Sequence, residues 1–135
     1  MISSIFIDRP RLAIVIAIVI TLGGLLMGIT EDHSNSSAHA HLNLLGWVSL
    51  FLFGIYYHLH PTIDRDRLAS IQVWIWVAAT LSLVVGITLV NSGRTVGYPF
   101  NVAGSLTLVA DMLLFGWLVY KTERVEMPGR TAAAE

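Results

Sequence analysis

Charged and strongly polar positions divide the chain into four long apolar runs. Leu12 to Ile29 carries no charge. Leu42 to Tyr57 carries none either, and His39 and His60 extend it to a full span. Leu68 to Val90 is uncharged, with Gln72 near its start, and Val102 to Tyr120 holds a single charge, Asp111. A helix needs about 20 mostly apolar residues to cross about 30 Å of hydrocarbon. The runs are continuous rather than alternating, which argues for helices over strands. The pattern predicts spans at about 12–29, 39–60, 68–90 and 101–120 within one domain, 1–121, and a disordered tail over 122–135. The first run lacks a convincing small-residue cleavage site and three more spans follow it, so it is expected to be a retained helix. Short loops make consecutive helices antiparallel neighbours, which gives an all-α, integral membrane, up-down four-helix bundle. Gly24 with Gly28, and Ser82 with Gly86, are small-xxx-small pairs of the kind that let membrane helices approach closely.

Composition supports a bilayer environment. Of the 135 residues, 55% are hydrophobic and 13% charged, against about 25% charged in soluble domains. There is no cysteine, which removes disulfides, zinc-thiolate sites, iron–sulfur clusters and c-type haem attachment. A net charge of −1 gives no bulk attraction to nucleic acid. Basic residues are unevenly placed. Arg9 and Arg11, Arg65 and Arg67, and Lys121, Arg124 and Arg130 fall in segments that share one side, whereas the opposite loops hold only Arg94. The positive-inside rule then places both termini in the cytoplasm, so that "TEDHSNSS" and "NSGRTVGYPF" face the periplasm of a bacterial inner membrane. Tyr56, Tyr57, Trp74, Trp76, Trp117 and Tyr120 are expected at the cytoplasmic interface, and Tyr98 and Phe100 at the outer one. The opening segment "IFIDRPRLAIVIAIVITLGG" resembles the N-terminus of resistance-nodulation-division efflux transporters. In that family a short cytoplasmic segment leads into the first membrane helix. The chain has no room for that family's full set of helices, so the resemblance bears only on the side of the N-terminus.

Candidate chemistry concentrates in "SSAHAHLNLLGWVSLFLFGIYYHLHP". Four of the five histidines lie here, His39 and His41 at the outer end, His58 and His60 at the inner end. Imidazole is a common metal ligand and an axial ligand of haem iron. Two H-x-H pairs on one membrane helix point to ligation rather than to chance placement at an interface. The pairs are 17 residues apart, roughly 25 Å at ~1.5 Å per residue, and so cannot share one site. At about 100° per residue, an ideal α-helix puts His41 on one face with Leu45, Val48, Leu52, Ile55 and Leu59, and turns His39 away from it.

"HLNLLGWVSLFLFGIYYHLHP" is similar to the second membrane helix of the large subunit of nitric oxide reductases and of the related high-affinity oxidases of the haem–copper superfamily. The shared features are His41, then Asn43-Leu44-Leu45, Gly54, Tyr56-Tyr57 and Pro61. The resemblance implies that His41, with Asn43 beside it, belongs to a low-spin haem b site near the periplasmic end, His41 being an axial ligand of the iron. The family's second haem ligand and its binuclear-site histidines come from later helices. Here the third and fourth spans contain no histidine, so this chain alone cannot form a complete binuclear oxidase or reductase centre. The sixth iron ligand is open between His33, His39 and the His41 of a second copy, the last implying a homo-oligomer that shares haem. Arg94 is a candidate partner for the haem propionates.

The expected function is therefore a membrane b-type haem protein for electron transfer or for sensing NO or O2, with a respiratory redox partner. Two alternatives stand beside it: a copper or zinc site built from H-x-H, and a cofactor-free assembly subunit of a respiratory complex. His58 and His60 are candidates for a second site. Asp111 lies halfway along the fourth span, with no Lys or Arg at its depth. An intramembrane carboxylate is a functional candidate by default. Its role is either to handle protons or to bond helices together, with Ser49 and Trp47 as candidate partners.

Overall fold

The computed structural model describes residues 9–64 and 66–131, with side chains from residue 11 to residue 122 apart from 12, 13, 64 and 65. The helices are α1 (Arg9–Thr30), α2 (Ser36–His41), a π-helical segment (Leu42–Ser49), α3 (Leu50–Leu59), α4 (Pro61–Asp64), α5 (Arg67–Asn91) and α6 (Gly97–Thr131). No strand occurs among the described residues. Three stretches are long and apolar enough to cross a membrane: Ser36–Leu59, which joins α2, the π segment and α3; Arg67–Asn91; and Gly97–Thr122. Ile14–Thr30 of α1 is a shorter apolar stretch. The expected spans thus fall on helical stretches that begin a few residues earlier, the second ending at Leu59, one residue short of its expected bound. α6 continues beyond Tyr120 to Thr131, through most of the expected tail; residues 132–135 lie outside the described residues.

Local sequence sets the element ends. Pro61 opens α4, where its missing N–H is not needed. Asp66 caps α5, its Oδ1 accepting from the Leu68 N–H at 3.0 Å. The α5–α6 turn is a Schellman motif. Gly93, at φ +76°, donates to the Val90 carbonyl, and Arg94 donates to that of Leu89. Only glycine takes that φ without strain.

Packing follows chain order. α1 packs against the π segment and α3. The second span lies between α1 and the α5–α6 pair. Phe53 meets Trp76 edge-on, with centroids 5.0 Å apart, and Phe115 at 4.6 Å. Trp76 and Tyr57 are buried here against the neighbouring helices, whereas Trp74, Trp117 and Tyr120 are exposed. The polarity of a soluble protein is inverted: Ile29, Leu106 and Leu113 are 67–72% exposed, while Gln72, Thr80 and Asp111 are buried. Lipid covers such a surface, and the polar groups must find partners inside.

α5 and α6 approach to backbone contact. Gln72, Ala79 and Gly86 recur at seven-residue spacing on α5, as do Gly97, Gly104, Asp111 and Leu118 on α6. Such a repeat keeps one stripe facing the partner helix. A Cβ on Gly86 would lie 2.5 Å from the Asn101 backbone nitrogen, and one on Gly104 2.7 Å from that of Leu83. Ser82 Oγ donates to the Phe100 carbonyl across the same seam. The Ser82/Gly86 pair therefore faces a neighbouring helix, as its spacing suggests. Of the other pair, Gly24 meets the His39 ring, and Gly28 has nothing within 4 Å.

Candidate functional site

The three histidines nearest the α1–α2 loop diverge. His41 ends α2 with its ring exposed, and its Nδ1 lies 2.8 Å from the Ser37 carbonyl oxygen. A carbonyl oxygen only accepts, so that contact makes Nδ1 a donor and leaves Nε2 as the ring nitrogen available to a ligand. His39 is half-buried, with Cε1 and Nε2 against Gly24 of α1. His33 is exposed in the α1–α2 loop, its Nδ1 3.0 Å from the Glu31 carbonyl. Asn43 is exposed in the π segment and Arg94 in the α5–α6 turn. The Asn91 side-chain amide donates to the Ser34 carbonyl and ties the end of α5 to the α1–α2 loop. Among the described residues no three His, Cys, Asp or Glu side chains come together as a metal cluster. The structure thus places His41, His39 and His33 at one end of the molecule without converging them.

At the other end His58 is exposed. His60 stacks on Tyr56 at 4.3 Å, with Nδ1 2.9 Å from the Tyr56 carbonyl.

The π segment begins directly after His41. Its wider turn, with i→i+5 hydrogen bonds, replaces the ideal α-helix assumed for the His41 face, so the expected stripe from Leu45 to Leu59 is not straight. Its carbonyls recruit side chains. Ser49 Oγ donates to the Leu44 carbonyl, and the buried Trp76 indole donates to that of Leu45 at 2.9 Å. π segments concentrate at functional sites. On the α1 side, an open apolar groove of about 410 Å³ runs between Ile14, Ala17, Ile18, Thr21, Leu22 and Trp47.

A polar relay crosses the core. The Tyr57 hydroxyl donates to Gln72 Oε1 at 2.9 Å, and Gln72 Nε2 donates to Asp111 Oδ2 at 2.6 Å. Asp111 is 2% exposed and its Oδ1 has no partner; the buried Thr80 hydroxyl has none either. This corrects the candidate partners of Asp111. Ser49 is turned to its own helix, and Trp47 lines the groove on α1. Gln72 and Tyr57 were not legible as members of a site from residue type. The seven-residue spacing that sets Gln72 and Asp111 on one seam is the signal that finds them. Beyond Leu118 the seam opens into a cavity of about 190 Å³ lined by Thr62, Ile63, Asp66, Leu118, Lys121 and Thr122. There Lys121 Nζ is 3.3 Å from Asp66 Oδ2. The Leu68 N–H, and secondarily Lys121, hold the Asp66 carboxyl below the usual carboxylate range.

The fold and site define an all-helical protein of membrane-spanning character, with an outward-facing imidazole at one end and a buried carboxyl in its core. No protein-family model matches the chain, and no solved structure matches it.

Proposed function

We propose that the chain is a b-type haem protein of a bacterial inner membrane, with both termini in the cytoplasm, serving electron transfer or the sensing of NO or O2. The observation that carries this reading is the state of His41. Its Nδ1 is held by the Ser37 carbonyl, and Nε2 is presented from an exposed ring at the end of an apolar span. A ligating histidine is oriented in this way by its second nitrogen. The donor set fits haem iron, which accepts a neutral imidazole, and a bound haem supplies one-electron redox chemistry or a site for a diatomic gas. His41 would hold the iron. His39 is turned to α1 and His33 to its own loop, so the His41 of a second copy would be the other residue to hold the iron. Arg94 and Asn43 supply polar contacts at the same end, and a respiratory protein is the redox partner.

The test is a visible spectrum of the purified protein, oxidised and reduced. A Soret band and sharp α bands on reduction are expected. His41→Ala should remove most of the haem while the protein still inserts, and His58→Ala should keep it. Full haem occupancy in His41→Ala refutes the assignment, and metal analysis showing copper or zinc without haem replaces it.

A further inference from the structure

Asp111 is the ionisable group among the described residues whose buried bonding is incomplete. Oδ2 meets Gln72, and among the described residues Oδ1 meets no hydrogen-bond partner and no ion pair reaches either oxygen. An unpaired charge in such a place is far costlier to bury than the neutral acid. The relay suits an acid. The Gln72 amide serves equally with its two ends exchanged, in which case Asp111 donates to Gln72 and Gln72 donates to Tyr57.

The two directions along the seam differ. Toward Gly97 the helices are in backbone contact at Gly104 and again at Gly86, where even a methyl group would overlap backbone atoms. A water molecule needs a cavity of about 10–15 Å³, and backbones this close leave no such space between them. Toward Lys121 lies the cavity of about 190 Å³, large enough for several waters. Thr62, Asp66, Lys121 and Thr122 contribute polar groups to a lining that is otherwise mostly apolar. Leu118, 1% exposed, occupies the seam position between this vestibule and Asp111. The titratable groups along the route are Tyr57 from α3, Asp66 at the start of α5 and Lys121 on α6.

We infer that Asp111 is a proton-exchange site: it carries its proton as a neutral acid and trades it with the aqueous phase at the Lys121 end, through the vestibule and past Leu118, and not with the opposite face. Leu118 is the barrier, and Gln72 and Tyr57 are positioning residues. The assignment is independent of haem.

The experiment uses the full chain in lipid nanodiscs transferred from H2O to D2O. Infrared spectroscopy follows the protonated-carboxyl C=O band, assigned to Asp111 by its loss in Asp111→Asn. The band should be present at neutral pH. Leu118→Ala should speed its isotope shift by about tenfold or more, because exchange through a packed core otherwise waits for local opening. Thr122→Leu, which fills the vestibule, should slow it by a similar factor. Leu83→Ala makes an equal cavity on the far side of Asp111 and should leave the rate unchanged, since the Gly86–Asn101 approach still closes that end. Absence of a band sensitive to Asp111→Asn overturns the neutral acid. Equal acceleration by Leu83→Ala and Leu118→Ala, or an unchanged rate in Thr122→Leu, overturns the sided path. If Leu118→Ala does not assemble, Thr122→Leu decides alone.

Discussion

Adding one methyl group to the α5–α6 seam should reverse the usual effect of replacing a helical glycine. In an open helix interior, Gly→Ala stabilises by up to about 1 kcal/mol, because alanine loses less backbone entropy on folding. Gly23 has nothing within 4 Å of the added carbon and should show that gain. At Gly86 the new Cβ would stand 2.5 Å from the Asn101 nitrogen and 2.9 Å from the Gly97 carbonyl oxygen. Both neighbours are backbone, so no side chain can swing aside. Restoring a tolerable contact moves the helices apart by about 1 Å, and overpacking of this kind costs about 1–3 kcal/mol. Set against the propensity gain, the net loss is up to about 2 kcal/mol. Gly104→Ala, at 2.7 Å from the Leu83 nitrogen, should behave alike. The assay is unfolding by sodium dodecyl sulfate in mixed micelles, read by circular dichroism. If Gly86→Ala and Gly104→Ala unfold at the same detergent fraction as Gly23→Ala, the close-packed seam is refuted.

Trp76→Phe keeps a ring against Phe53 but strips the Leu45 carbonyl of its donor; the same assay should register a loss of about 1 kcal/mol, within the range found for hydrogen bonds between membrane helices. Asp66→Ala should cost about 1 kcal/mol at neutral pH through loss of the cap. Because the folded Asp66 carboxyl titrates below its ordinary value, its contribution is present above the unfolded pKa and disappears as pH falls through the folded one. The gap between wild type and Asp66→Ala should therefore close in acid; a constant gap would contradict the assignment. In intact cells Ser34→Cys should react with an impermeant thiol reagent and Thr62→Cys should not, and the reverse pattern would invert the proposed orientation.

Helices were legible in the sequence because an uninterrupted apolar run states its own secondary structure. Even Gly86 announced a close contact through its spacing from Ser82. The relay was less legible. Asp111 stood out as a lone charge, but Tyr57 was assigned to the interface by residue type, and type does not tell a snorkelling ring from a buried one. The π segment was also hidden. "LNLLGWVS" contains no proline, and nothing in it marks a wider turn; that turn is held partly by Trp76, 31 residues away from Leu45. Contacts of this kind arise only when helices meet.

In an uninterrupted α-helix the azimuth of each residue is locked to that of every other. The second span is divided by its wider turn, and the two parts answer to different demands. α3 is oriented by the need to bury Leu50, Phe53, Gly54 and Tyr57. α2 is oriented by Ala38, buried as α2 packs against α5, and by His39 against Gly24 of α1. The direction in which His41 looks is thus a separate setting, adjustable by one inserted or deleted residue at about 100° each. The aromatic core below would keep its register through such a change.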